Sequence, residues 1–268
     1  MSRPKNGGTD SRFNKRRADV LLVERGLAAT RSRAQSLLLS GRVFSAERRV
    51  EKSGELLAHD APLEVRGGER YVSRGGDKLE GALEALSVSV VGLECADIGA
   101  STGGFTDCLL QHGAVKVHSV DVGHGLLALR LREDERVHLV ERTNARRLTP
   151  ELLGATVDLA VVDASFISVT KLLPAIRSIL RPGGRLLALV KPQFEAGREE
   201  AARGRGVIRD PEVRARTIRE ARAAFVAEGF ELLGGCDSKL PGPKGNLEYF
   251  VLARRTDSAA QSTSTQRS

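Results

Sequence analysis

The sequence predicts an α/β protein: an open, doubly wound sheet of seven strands behind a small α+β unit. Three observations carry that expectation. From about residue 78 to 253, short apolar runs alternate with helical patterns, as in a parallel sheet covered by helices on both faces. A glycine-rich turn, Asp97-Ile98-Gly99-Ala100-Ser101-Thr102-Gly103-Gly104, follows the first of these runs and opens a helix. Ahead of residue 70 lies a separate segment with two short helical patterns, set off by a Gly/Arg-rich stretch between Arg66 and Gly76.

Taken in chain order, residues 1–17 read as a disordered basic tail. Residues 18–70 form the small unit. Ala18–Arg25 is expected to be helical, with Gly26 ending it. A second helix opens with Ser32 and Gln35 at capping-box spacing, turns Leu37 and Leu38 inward and stops at Gly41. Val43–Ser45 and Pro62–Val65 are short extended pieces, and residues 71–77 are a linker. In residues 78–253, strands are expected at Leu93–Ile98, Lys116–Asp121, Val137–Val140, Val157–Val162, Arg185–Val190, Phe230–Cys236 and Leu247–Leu252. Helices are expected at Phe105–His112, Gly125–Arg132, Val169–Leu180 and Pro211–Glu228. Only the loop Asp237–Asn246 separates the last two strands, so they should pair antiparallel. Residues 254–268 are a second disordered tail.

Composition narrows the function classes. The 268 residues are 41% hydrophobic and 28% charged, an ordinary balance for a chain with a sizeable core. Apolar runs are strand-sized and no secretory leader is visible, so a cytoplasmic protein without a membrane span is expected. Three scattered cysteines offer neither a disulfide framework nor zinc-ligand spacing. The net charge of +8 is uneven: residues 1–76 hold 16 basic and 9 acidic groups, the remainder 26 and 25. A basic end on a near-neutral body suggests a nucleic-acid partner. Arg31, Arg33 and Arg42 flank the second helix, where guanidinium groups could meet phosphates.

The glycine-rich turn sits where an open α/β sheet binds its ligand. No Gly-Lys-Ser/Thr ends it, which excludes a Walker loop, and Gly99, Gly103 and Gly104 miss the dinucleotide spacing. Asp97 would repel a pyrophosphate but suits a cationic ligand such as the amino-acid end of S-adenosylmethionine. Asp121, closing the second strand, can accept hydrogen bonds from a ribose diol. Lys78, Asp163, Lys191 and Glu248 stand at chain positions that a doubly wound sheet brings to the same crevice.

Lys78, Asp163, Lys191 and Glu248, in the contexts SRGGDKL, DASFIS, VKPQF and GNLEYF, resemble the Lys-Asp-Lys-Glu tetrad of FtsJ-like ribose 2′-O-methyltransferases. DIGASTGGFTD, ERTNAR and LPGPKGNLEYF, behind RGLAATRSRAQSLLLSGRV, resemble the TlyA family in particular, over about residues 17–253. The resemblance implies an RNA-binding domain of the ribosomal-protein S-four type at 18–70 and a Rossmann-like methyltransferase domain at 78–253. It also implies 2′-O-methylation of cytidine in ribosomal RNA, free or in ribosomal subunits, without a metal. S-adenosylmethionine would be held by Asp97, Gly99, Ala100, Ser101, Gly103, Phe105, Asp121, Asn144 and Asp163. Lys191 would be the base and Asp163 its orienting partner. Lys78 and Glu248 would place the ribose, with the Lys78 cation lowering the proton affinity of Lys191. Arg31, Arg33 and Arg42 become RNA contacts. Val43–Arg49 departs from the Val-x-Val-Asn/Asp-Gly hairpin usual in the small domain.

Rival functions fit less well. Methylation of a base amino group favours an Asn/Asp-Pro-Pro-Tyr motif, and Asp163-Ala164-Ser165-Phe166 has no proline. No Gly-Arg-Leu-Asp-like segment of a pseudouridine synthase is present. Relatives of TlyA carry the name haemolysin, but a lytic role calls for an apolar span or a strongly amphipathic helix. A pure RNA-binding module would not need the cofactor and tetrad motifs.

Overall fold

The computed structural model describes residues 15–66, 70–197, 200, 204–242 and 244–256. Most of the two expected tails (1–14 and 257–268) and residues 67–69 of the Gly/Arg-rich stretch lie outside the described residues. The chain divides into two compact units, Met1–Arg70 and Tyr71–Ser268.

The first unit runs β1 (Lys15–Arg17), α1 (Ala18–Glu24), α2 (Arg31–Leu39), β2 (Val43–Ser45), β3 (Arg48–Arg49), β4 (Leu56–Ala58) and β5 (Glu64–Val65). β1 pairs with β4, and β3-β2-β5 form a three-stranded sheet. Leu21, Leu22, Ala34, Leu37, Leu38 and Val43 are buried together between these elements. Two expectations are corrected. Residues 15–17 belong to the fold, because Lys15–Arg17 pair antiparallel with Leu56–Ala58. The second helix is capped by Thr30, whose Oγ1 accepts from the Arg33 amide at 3.2 Å, and not by Ser32.

Gln35 is turned inward instead, and donates to Asp19 at 3.1 Å. Asp19 is fully buried and also accepts from both Nε and Nη2 of Arg17 and from Arg31 Nε, each at 3.0 Å. The Arg17 guanidinium above all, with Gln35 and Arg31, holds this carboxyl well below the usual range against the opposing effect of burial. One carboxylate thus ties β1, α1 and α2 together. The β2–β3 hairpin forms despite its unusual sequence, with Ala46 at φ 52 in the turn.

The second unit runs α3 (Arg74–Ala85), β6 (Glu94–Ile98), α4 (Gly104–Gln111), β7 (Lys116–Val120), α5 (Leu129–Arg132), β8 (Val137–Val140), α6 (Pro150–Leu153) and β9 (Val157–Val162). A 3-10 turn, Val169–Leu172, leads into α7 (Leu173–Ile179) and β10 (Leu180–Val190). Then come α8 (Pro192–Glu195), α9 (Pro211–Ala227), β11 (Phe230–Asp237) and β12 (Tyr249–Arg255). The sheet order is β11-β12-β10-β9-β6-β7-β8. β12 is antiparallel to both neighbours, and the other pairs are parallel. The expected seven strands and the antiparallel end are therefore present.

Alternating residues feed two cores, one on each face. Ala96, Ile98, Ala160 and Val162 pack with Ile176 of α7 and Phe225 of α9. Cys95, Leu159 and Val161 pack with Leu79 of α3 and Leu109 of α4. Both faces of β6 and β9 are covered, which is why their residues on either face are mostly apolar.

Among the boundaries that differ from expectation, three stand out. The 71–77 linker is largely structured: Tyr71 is buried and α3 begins at Arg74, with Ser73 as its cap. The 125–132 helix shrinks to α5, because Gly125 sits at φ 71 and its amide donates to Glu141. Arg254 and Arg255 continue β12 and pair with Glu231 and Phe230 of β11, so the expected tail begins later.

Candidate active site

Because β6 is flanked by β7 on one side and β9 on the other, the chain leaves the sheet centre in both directions. The crevice beyond the carboxyl ends of β6 and β9 is where such a sheet takes a ligand. Asp97, one residue from the end of β6, builds its floor. Its Oδ2 accepts from the amide and the hydroxyl of Thr106 at 2.8 and 2.7 Å, which anchors the start of α4. Gly103 caps α4 at φ 98, a conformation glycine adopts without strain. At Gly104 a Cβ would stand 2.2 Å from Ser73 Oγ, so only glycine lets the starts of α3 and α4 meet this closely. That approach carries Lys78, one turn into α3, toward the crevice. Asp97 Oδ1 is buried and has no hydrogen-bond partner. Burial pushes this carboxyl up to about 7, with the charges of Asp163 and Asp121 adding to the effect and Thr106 opposing it.

Above this floor opens a cavity of about 500 Å³, a size suited to a nucleoside ligand. Gly99, Ser101, Asp121, Asn144 and Asp163 line it, together with Val122, Leu126 and Phe166. Asp121 accepts from the amides of Ser101 and Gly123 at 2.8 and 2.7 Å, fixing the two loops that frame the opening. Asn144 Oδ1 caps the short turn after β8 by accepting from Arg146 N at 3.1 Å. Four expected cofactor residues do not line this cavity: Asp97, Ala100, Gly103 and Phe105. Phe105 is a core residue, its ring 6.2 Å from that of Phe250, so its side chain supports the turn from beneath.

The four tetrad residues form two ion pairs. Lys78 Nζ lies 2.5 Å from Glu248 Oε2, with both side chains buried. Lys191 Nζ lies 2.5 Å from Asp163 Oδ1 and donates to Ser165 Oγ at 3.0 Å. Lys191 and Asp163 follow directly on β10 and β9, while Glu248 precedes β12. The antiparallel sense of β12 is what brings its start to the carboxyl ends of the parallel strands. Ser165, Gln193 and the exposed Phe166 join the site without having been singled out. Ser165 and Phe166 lay inside the DASFIS motif, but nothing in their spacing indicated a role. Among the described residues no group of His, Cys, Asp and Glu is placed to hold a metal ion.

The model of FtsJ-like methyltransferases matches residues 71–255. This chain belongs to that family. It is 46% identical to the 16S/23S rRNA (cytidine-2′-O)-methyltransferase TlyA of Mycobacterium tuberculosis, over 91% of each chain, and it falls within the TlyA family. It is 40% identical to Hemolysin A of Brachyspira hyodysenteriae, covering 88% of this chain and 98% of that one. A solved structure of a hemolysin-named protein from Streptococcus thermophilus superposes with a TM-score of 0.71 at 41% identity, covering 91% and 90%. Among the described residues no helix is long and apolar enough to cross a membrane.

The chain is therefore a methyltransferase, and its methyl donor is S-adenosylmethionine. The residues present fit that molecule: the Asp121 carboxylate lines the cavity, where it could accept from a ribose diol, and Asp97 Oδ1 is a buried oxygen without a hydrogen-bond partner, which could accept from an ammonium group. A testable consequence follows from Asp97. Its folded value of about 7 lies above the unfolded 3.8, so the ligand-free fold favours the protonated acid and loses stability as pH rises between them. An ammonium ligand favours the ionised form. Cofactor affinity should therefore fall as pH drops below 7, approaching roughly tenfold per pH unit, with protons released on binding. Calorimetry in buffers of different ionisation enthalpy reads both quantities. Asp97→Asn should weaken binding and flatten the pH dependence, whereas Asp97→Ala also removes the Thr106 anchor. A wild-type affinity constant from pH 5.5 to 7.5 would take Asp97 out of the cofactor contact.

Proposed function

We propose that this methyltransferase modifies the ribose 2′-hydroxyl of cytidine in ribosomal RNA, as a cytoplasmic enzyme. The observation that carries the reading is the double ion pair Lys78–Glu248 and Lys191–Asp163 at the carboxyl ends of the strands beside the cavity. A ribose hydroxyl is a weak acid and gains from a base and from nearby cations as it attacks. The loop after β9 has no prolines to shape a base-methylating site.

S-adenosylmethionine would supply an electrophilic methyl group on a sulfonium cation. Lys191 Nζ takes the 2′-hydroxyl proton. Asp163 and Ser165 aim that nitrogen. Lys78 and Glu248 place the ribose. Glu248 Oε2, 2.5 Å from Lys78 Nζ, offsets the charge of that lysine. Phe166, 92% exposed and standing at φ 65 beside Phe194, offers a flat apolar face to an unstacked base.

Incubating the enzyme with ribosomal RNA or subunits and a labelled methyl donor, then digesting to nucleosides, tests the reading. 2′-O-methylcytidine is expected; label on a base nitrogen would overturn it.

The first unit supplies RNA affinity in this reading. Arg31 is 57% exposed but holds Asp19 through Nε, so replacing it also disturbs the fold. Arg33→Glu with Arg42→Glu leaves the Arg17, Arg31 and Gln35 contacts to Asp19 in place. It should weaken RNA binding and reduce the slope of log K against log salt by roughly one to two units, leaving cofactor affinity intact. Unchanged affinity and slope would move the RNA contact elsewhere. The Gly197–Arg209 loop is the second RNA-facing candidate. Its described end is docked beside Glu248 through Asn246, which accepts from the Ile208 amide at 2.9 Å and donates to the Gly206 carbonyl at 2.8 Å.

A further inference from the structure

One helical turn, α8, touches both ion pairs of the tetrad. It begins directly after Lys191. Gln193 Nε2 donates to Glu248 Oε1 at 3.4 Å, and the Phe194 ring lies 5.9 Å from Lys191 Nζ and 5.4 Å from the Phe166 ring. The last residue of the turn, Glu195, reaches the loop that follows the neighbouring strand. Its Oε2 accepts from Ser168 Oγ at 2.5 Å and its Oε1 from the Val169 amide at 2.8 Å. Both carboxylate oxygens are therefore engaged on the far side of the segment that carries Asp163, Ser165 and Phe166. On its near side the same segment is held by Lys191, through Asp163 and Ser165. Lys191 and Glu195 thus hydrogen-bond the two ends of this segment through their side chains, and Glu195 is the one outside the tetrad.

The segment needs fixing. Phe166 adopts φ 65, which is strained for an aromatic residue and persists only where the surroundings impose it. Its ring also projects into water, so its own burial does not hold it there. Burial pushes the Glu195 carboxyl above the usual range while the Ser168 and Val169 bonds pull it down; it is a partly desolvated group serving these two bonds.

We propose that Glu195 is a positioning residue for methyl transfer, clamping the 163–169 loop so that Asp163, Ser165 and Phe166 keep register with Lys191. Its substrate-side consequence rests on the ribose reading above; the clamp itself does not. The chain contains no tryptophan, so Phe166→Trp places a single reporter on the loop. In that background, Glu195→Ala should lower tryptophan anisotropy and raise its quenching by acrylamide, with little change in Tm. In the otherwise native chain, the same substitution should slow single-turnover methyl transfer to ribosomal RNA roughly tenfold to hundredfold, as a displacement on the order of 1 Å would. Glu195→Gln, which keeps one acceptor oxygen, should recover part of that loss.

Glu195→Ala combined with Phe166→Ala should lose less than the product of the single losses, since one residue acts through the other. Ser168→Ala removes half of the clamp and should shift the reporter in the same direction; it serves if Glu195→Ala folds poorly. Unchanged anisotropy and quenching in both variants overturns the clamp. So does a rate loss in Glu195→Ala that multiplies fully with that of Phe166→Ala. A wild-type enzyme that leaves ribosomal RNA unmethylated would sink the ribose reading instead, with the fluorescence result still deciding the clamp.

Discussion

Lys191→Arg is expected to reduce single-turnover methyl transfer by about 10²–10⁴-fold, the usual range for a general base, while cofactor and RNA affinity stay near wild type. Arginine keeps the positive charge and can still face Asp163, but its guanidinium does not give up a proton in a protein. The substitution therefore separates two roles that the geometry combines. Lys191 Nζ sits 2.5 Å from a carboxylate, where it could serve as a cation or as a base. If the lysine only stabilises the developing alkoxide as a cation, arginine should retain most of the activity. If it must accept the hydroxyl proton, activity is lost and the wild-type rate rises with pH until the lysine is neutral. The pH profile of the single-turnover rate, run beside the arginine variant, reads the difference. Near wild-type turnover in Lys191→Arg would withdraw the base assignment and leave Lys191 as an electrostatic clamp.

The two lysines and two carboxylates of this site were visible in the sequence as residues, but not as pairs. Each stands at or next to the end of a strong periodic element, and the topology of a doubly wound sheet sends those ends to one crevice. Which lysine meets which carboxylate depends on where α3 crosses, and Lys78 and Glu248 are 170 positions apart. The long strands were legible because β9, Val-Asp-Leu-Ala-Val-Val, is apolar at every position but Asp158 and buried on both faces. The first unit was harder. β3 and β5 have two residues each, too few to show any alternation, and β1 reads as part of a basic tail until its partner strand is known. α8 has four residues and no periodicity, so the turn that touches both ion pairs left no pattern. Phe105 misled in the opposite direction. It lies in the cofactor motif, yet its ring packs on Phe250 across the core. Motif membership identifies a segment near the ligand, while packing decides which side chains in it face that ligand.

Glu248→Ala should be the most destabilising single change in the site. It strands the Lys78 ammonium, which is only 7% exposed, without its partner at 2.5 Å. Breaking a buried pair in this way costs about 3–5 kcal/mol, chiefly because one charge remains desolvated. In a domain of this size that corresponds to a drop in Tm of roughly 6–20 °C. The sign of its pH dependence identifies the cause. A buried lysine without a counter-charge has a lowered proton affinity, so the fold favours its neutral form and regains stability as pH rises toward the value for a free lysine. The Tm gap between wild type and Glu248→Ala should therefore narrow as pH rises. Lys78→Met with Glu248→Leu removes both charges, and apolar replacement of a whole buried pair is often neutral or stabilising. That double variant should recover most of the lost Tm and none of the methyl transfer. A gap that stays constant with pH would mean that the loss comes from the Gln193 contact or from packing at Gly242, where Glu248 Oε1 stands 2.6 Å from the position of a Cβ. Recovered activity in the double variant would show instead that the Lys78–Glu248 pair serves the fold and not the ribose.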